Sequence, residues 1–404
     1  MAVGQTAFPE MHPIKGVRLG TSNAGIKQTQ RDDILILEMA EGGCCAAVFT
    51  QNAFCAAPVQ VAKTHLSQEP RWLLVNSGNA NAGTGKQGLQ DALACCFSLA
   101  NEVNGMAQQV LPFSTGVIGE PLPVTKLITA LPSAVSNLDE RHWDKAASAI
   151  MTTDTFAKGV SVVVNIDGHP VTITGISKGA GMIQPNMATM LAFIATDARL
   201  DQALLQQCLA AAAHRSFNCI TVDGDTSTND ACVLLASGCA AAPQILPGSE
   251  HYSIFAAALL KVCKRLAELI VRDGEGATKL IRILVEQAKD SGEALLVAKT
   301  IAHSPLVKTA FFASDPNWGR ILAAVGRAGL EKLALDKVDI YLGTVCIVEN
   351  GSRAAAYTEQ DGQRVMKQEE ITVTVRLGRG EVREEVLTCD FSYDYVRINA
   401  EYRT

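Results

Sequence analysis

The chain is poor in the features that usually give a function away. Aromatic residues make up only 5% of its 404 positions, so any core must be built mainly from aliphatic side chains and alanine. No stretch reaches the eighteen or so apolar residues that span a bilayer, and runs such as 190–196 have the length of a buried strand. No membrane partner is expected. Basic tracts are absent and the net charge is -6. A phosphate-backbone binder clusters Lys and Arg, so nucleic acid is not an expected partner either. The opening MAVGQTAFPE has no positive segment ahead of an apolar core, which argues against a secretory signal and makes the cytoplasm the expected compartment. The 12 cysteines include no CxxC pair, and most sit among Ala, Val and Leu as buried thiols do. Neither a disulfide framework nor a zinc site is expected, and the seven histidines are scattered outside every candidate motif.

Hydrophobic residues at 48% and charged residues at 19% describe a globular chain, long enough for more than one core. Residues 34–39, 46–50, 72–76 and 160–166 read as strands. Residues 90–103, 143–151, 201–214 and 253–271 carry helical periodicity. A strand follows at 278–285, then a helix from about Gly292 to Phe312. Beyond it, 338–348, 371–377 and 382–390 alternate like antiparallel strands. The reading is a mixed α/β domain over 1–290 and a smaller α+β domain over 291–404.

Familiar motifs fail on inspection. GNANAGTGKQG (78–88) looks like a phosphate loop, but Ala80 stands where the first glycine belongs and Gln87 where a Ser or Thr would hold magnesium. Asp223-Gly-Asp225 starts like a calcium loop and lacks its glycine and closing glutamate. There is no GxSxG elbow. What stands out is hydroxyl and glycine density at 114–119, 152–155, 178–191 and 223–230. Clusters of this kind mean turns; four beside apolar segments suggest a site built from hydroxyls and backbone amides.

The segment KGAGMIQPNMATML (178–191) resembles the self-cleavage signature of the ornithine acetyltransferase family, the glutamate N-acetyltransferases of arginine biosynthesis. Other segments resemble that family in order along the chain. They are NSGNAN (76–81), STGVIG (114–119), MTTDT (151–155), DGDTSTND (223–230), VKTA (307–310), SDPNWGR (314–320) and the ending NAEYRT (399–404).

The resemblance implies a layered αββα domain of the N-terminal-nucleophile type with a smaller C-terminal domain. It implies self-cleavage between Ala188 and Thr189, leaving a new amino terminus on a threonine. The α-amine of such a residue has a pKa of about 7.7–8, so much of it is a neutral base at neutral pH, beside the hydroxyl it must activate. Thr189 is thus the expected nucleophile, with Thr115 and Gly116 stabilising the oxyanion. Thr152, Lys178, Thr189, Glu275, Asn399 and Thr404 are the expected substrate residues. Lys178 suits a carboxylate and Glu275 an ammonium. Taken alone, Thr189 reads as a strand residue, Gly116 and Glu275 as turn residues and Lys178 as a surface lysine.

The implied reaction moves an acetyl group from N-acetylornithine to glutamate through an acetyl-threonine ester, with acetyl-CoA as a donor in some family members. No cofactor or metal is implied. Two copies of each fragment are expected to assemble as a heterotetramer. Two alternatives stay open: an amidohydrolase or aminopeptidase in which water resolves the acyl-enzyme, and a non-catalytic ornithine-binding relative. If Thr404 contacts substrate, a tag added after it should lower activity well beyond a tag on Met1. A loss of less than about twofold in steady-state rate would count against that role.

Overall fold

The structure, a computed structural model, describes residues 3–4, 7–27, 31–184 and 190–401. It divides into two compact units. One comprises Ala7–Asn218 and Asp225–Ile270; the other is built on the chain from Val271 onward and takes in Cys219–Gly224.

The first unit contains two sheets. In the four-stranded sheet, Val17–Ser22, Ile34–Met39, Trp72–Asn79 and Val110–Val117 lie side by side in that order, the last two parallel. In the five-stranded sheet the order is Cys44–Phe49, Ala231–Ala236, Leu191–Thr196, His169–Lys178 and Lys158–Ile166. Alternation along each strand decides the layering. Leu35, Leu37, Leu73, Val75 and Phe113 share one core with Phe193, Ala195, Val233 and Leu235, so the two sheets pack face to face. Ile34, Ile36, Trp72 and Leu74 point the other way, into a second core with Cys95 and Leu99 of helix Gly85–Glu102 and Leu127 and Leu131 of helix Val124–Ser136.

Helices cover the far side of the second sheet as well. A Cβ at Gly175 would touch Leu266 of helix Glu250–Arg272. From helix Gln202–His214, Gln206 both donates to the Ala47 carbonyl and accepts from its N–H, which closes the open edge of strand Cys44–Phe49. The result is the αββα arrangement. Burial on both faces explains why runs such as Leu191–Thr196 are apolar throughout rather than alternating.

The second unit has one six-stranded sheet, ordered Ser352–Arg353, Val345–Glu349, Asp339–Leu342, Glu370–Arg376, Leu280–Ala288, Val382–Cys389. Its core is shared with helices Ser291–Ala302, Pro305–Phe312 and Trp318–Gly326. Three details depart from the sequence reading. Leu280–Ala288 is a central strand of this sheet, so residues 271–290 belong with the C-terminal unit, and the break lies before 271 rather than near 290. The helix expected from 292 to 312 is two helices. Pro305 has no N–H to continue the first, and Ser304 caps the second by accepting from Val307 N at 3.4 Å. The run 338–348 is a hairpin, and the sheet is mixed because Leu280–Ala288 and Glu370–Arg376 run parallel.

Phe113 meets Phe193 edge-on across the two sheets, ring centroids 5.3 Å apart. Phe113→Ala should cost about 3–5 kcal/mol. A loss below about 1 kcal/mol in urea unfolding would be incompatible with this packing.

Candidate active site

Thr115 and Gly116 lie near the end of strand Val110–Val117, paired in register with Ser77 and Gly78 of strand Trp72–Asn79. Gly116 has φ +135°, and a Cβ there would collide with the Gly78 peptide, so this position requires glycine. Polar side chains fix the neighbouring backbone. Ser114 donates to Asn76 Oδ1 at 2.6 Å, and Asn76 donates to the Asn79 carbonyl at 2.8 Å. Asn229 donates to the Ala80 and Ser114 carbonyls at 2.6 and 2.9 Å. All of these side chains are buried, and such networks rigidify when every member is satisfied.

Lys178 ends strand His169–Lys178, and its Nζ donates to Thr115 Oγ1 at 3.1 Å. The next residue, Gly179, donates its N–H to Asp154 Oδ1 at 2.7 Å. Asp154 is fully enclosed, pairs with the equally enclosed Lys158 at 2.6 Å and accepts the Thr152 N–H at 3.0 Å. Burial alone would raise its pKa. The charges of Lys158 and Lys178 and the hydrogen bonds from Lys158 and Gly179 overcome that and hold it well below the usual carboxylate range. Thr152, half-buried, is thereby tied to the backbone next to Lys178.

Two further titratable groups sit nearby. Lys27 donates to the Ala149 carbonyl at 3.0 Å, which also accepts from Ser77 Oγ at 2.5 Å. Burial lowers its pKa to about 8, against the pull of Asp33 and Asp154. Asp230 is buried, its Oδ2 has no hydrogen-bond partner among the described residues, and burial raises it well above the usual range, favouring the neutral acid.

Thr189, with Ala188 before it, and Thr404 lie outside the described residues. The strand after Thr189 is placed: Leu191 pairs with Lys178, and Met190 accepts the Ala231 N–H at 3.0 Å. In the C-terminal unit, Glu275 is buried, and Asn399 donates to its Oε2 at 2.8 Å. Among the expected residues, then, Thr115, Lys178 and Thr152 come together in one unit, and Glu275 and Asn399 in the other.

Sequence reading missed Asp154, Lys158, Lys27, Asp230 and the asparagine network. Asp154 and Asp230 were inside noted clusters, and a charge set among hydroxyls was the available signal. Lys158 carried none, since its burial depends on the fold. The polar groups of the loop 78–88 are engaged within the protein: Asn79 accepts the Asn81 N–H at 2.8 Å and donates to the Glu120 and Pro121 carbonyls at 3.2 and 3.1 Å, and Asn81 donates to Gly88 O at 2.9 Å while accepting from Thr84 at 2.8 Å. Among the described residues no group of three or more His, Cys, Asp or Glu could hold a metal ion.

Two sheets between helices thus bring a hydroxyl, a glycine and an ammonium together at strand ends. The chain belongs to the ArgJ family, whose model matches residues 18–404. It is 64% identical over 392 residues to the arginine biosynthesis bifunctional protein ArgJ of Methylococcus capsulatus, covering 97% of this chain and 96% of that protein. It is 54% identical over 405 residues to the protein of the same name from Pseudomonas fluorescens, covering both in full. Among solved structures, a chain of the ArgJ protein of Bacillus halodurans is similar, at 41% identity with a TM-score of 0.50. That match covers 52% of this chain and 98% of the solved one.

Asp154→Asn would leave Lys158 buried without its counter-charge, at a cost of about 3–5 kcal/mol. Because the folded pKa of Asp154 lies below its ordinary value of 3.8, its contribution is present above that value and fades as pH falls towards the folded one. Urea unfolding should therefore separate parent and variant at pH 7 and bring them closer below about pH 4. Equal midpoints at pH 7 would contradict the assignment.

Proposed function

We propose that this protein transfers the acetyl group of N-acetylornithine to glutamate in arginine biosynthesis, and that acetyl-CoA serves as a second donor. The observation carrying this reading is the end-to-end likeness to proteins named for that pathway and called bifunctional.

Cleavage before Thr189 begins with attack of its hydroxyl on the Ala188 carbonyl; the Ala188–Thr189 C–N bond breaks, which frees the threonine amine and leaves an ester, and water then opens that ester to release the Ala188 carboxylate and restore the hydroxyl. The half-length match to the solved Bacillus chain supports such a cut, since 52% of this chain accounts for 98% of that one. A fragment starting at Thr189 would also be about half of the 404 residues.

In the transfer itself, Thr189 Oγ attacks the acetyl carbonyl and its proton passes to the threonine α-amine. Thr115 and Gly116 are assigned the oxyanion. Lys178 donates to Thr115 Oγ1, which leaves the Thr115 proton available to the developing charge. Collapse expels ornithine, protonated by the α-ammonium, and leaves an acetyl ester on Thr189. The glutamate amine then attacks that ester, and N-acetylglutamate departs as the threonine hydroxyl is restored. Lys178 is assigned the substrate α-carboxylate and Glu275 the δ-ammonium. Thr152, Asn399 and Thr404 are assigned neutral hydrogen bonds.

We assign the protein to the cytoplasm as a heterotetramer of two fragment pairs. No helix among the described residues is long and apolar enough to cross a membrane.

Denaturing intact-mass measurement with and without N-acetylornithine tests the mechanism. Two fragments should appear, split after residue 188, and only the C-terminal one should gain a single acetyl group. Thr189→Ala should stay whole and unlabelled, and Thr115→Ala should slow transfer by about 10²–10³. A whole parent chain that takes up no acetyl would sink the proposal.

A further inference from the structure

The C-terminal unit shows how the Glu275 carboxylate is held. Glu275 lies in the turn between helix Glu250–Arg272 and strand Leu280–Ala288. Asn399 Nδ2 donates both to Glu275 Oε2 at 2.8 Å and to the Tyr395 carbonyl at 3.0 Å. A buried carboxylate partnered by a neutral amide is a receptor for a cation.

Asn399 is carried by helix Tyr393–Ala400, which has no buried residue. An eight-residue helix is too short to persist on its own in water. Ring contacts of Tyr393 with Phe312 and of Tyr395 with Phe391 help seat it. Its root is tied more directly. Asp390, fully buried, accepts from Thr278 N at 2.8 Å, Lys279 N at 2.9 Å and Thr278 Oγ1 at 2.5 Å. Ser392 donates to the Gly276 carbonyl at 2.6 Å and caps the helix by accepting from Asp394 N at 3.2 Å. Gly276 has φ +69°, and a Cβ there would strike the Tyr395 N–H and Ser392 Oγ. The buried Lys308 Nζ binds Thr388 Oγ1 at 2.9 Å and the Cys389 carbonyl, and sits over the Phe391 ring. The residues that follow Glu275 in its turn are therefore bonded to those from which the last helix springs.

We propose that Asp390 and Ser392 are positioning residues for recognition of the substrate ammonium. They join the Glu275 turn to the root of the final helix, so that Asn399 fixes the Glu275 carboxylate where a cation can meet it. The proposal rests on Glu275 taking the δ-ammonium of N-acetylornithine.

N-acetylnorvaline is the same donor without the δ-amine, so the ratio of its KM to that of N-acetylornithine reads this contact alone. In the whole protein, D390N and S392A should raise KM for N-acetylornithine about tenfold and change kcat by less than about twofold. KM for N-acetylnorvaline should stay within about twofold, so discrimination falls. E275Q should abolish discrimination. If E275Q loses it while D390N and S392A keep it, the positioning role is overturned and the ammonium assignment stands. If E275Q keeps it, the ammonium assignment fails and the inference goes with it. Equal KM rises for both donors would mean general damage and would also overturn it. Should D390N not fold, S392A and T278V make the same test.

Discussion

One enclosed carboxylate organises the candidate site in the first unit. Asp154 and Lys158 have been taken out of water together, and charges so placed are costly unless each finds a partner and the remaining lone pairs are bonded. Here they are: one carboxylate oxygen meets Lys158 and the Gly179 N–H, the other the Thr152 N–H. The pair is a poor source of net stability, because a well-packed apolar replacement could do as well. It supplies geometry. Thr152 and Gly179 lie far apart in the chain, and a single oxygen pair sets their spacing. Lys178 stands between that clamp and Thr115, so the carboxylate governs where its ammonium can reach.

Much of the layering was legible beforehand, from short apolar runs for strands and from periodicity for helices. The run 34–39 coincides with strand Ile34–Met39, and 201–214 nearly coincides with helix Gln202–His214. Other strands buried on both faces were harder. Ala231–Ala236 and Val110–Val117 show no alternation that separates them from buried helix. The domain break was misplaced for a related reason. Sequence shows where a strand begins but not which sheet it joins, and Leu280–Ala288 is recruited by strands from much later in the chain.

The candidate site was drawn from motif resemblance far more than from chemistry. Thr115, Lys178 and Thr152 looked like turn or surface residues, and their meeting depends on two sheets packing face to face. The supporting shell left weaker traces. Asp154 and Asp230 each sat in a noted cluster, yet one is a strongly ionised carboxylate and the other favours its neutral form. Nothing in the local sequence separates them. The distinction is made largely by Lys158, a residue that carried no signal in the sequence.

These differences tilt the electrostatics around Thr115. Asp154 is engaged by Lys158 and two backbone N–H groups, and burial drives Asp230 towards its neutral form. Lys178 meanwhile points at the Thr115 hydroxyl. Burial first, and then the charges of Arg31 and Lys178, bring Lys27 down to about 8, against Asp33 and Asp154. Charge interactions strengthen away from water, so this balance favours a negative charge developing beside Thr115. It also acts on any amine brought into the same field, whose proton is lost more readily beside cations. A threonine α-amine has to be neutral to serve as the base. A site that draws an oxyanion and discourages ammonium therefore serves both halves of the proposed chemistry, without a histidine to carry the proton.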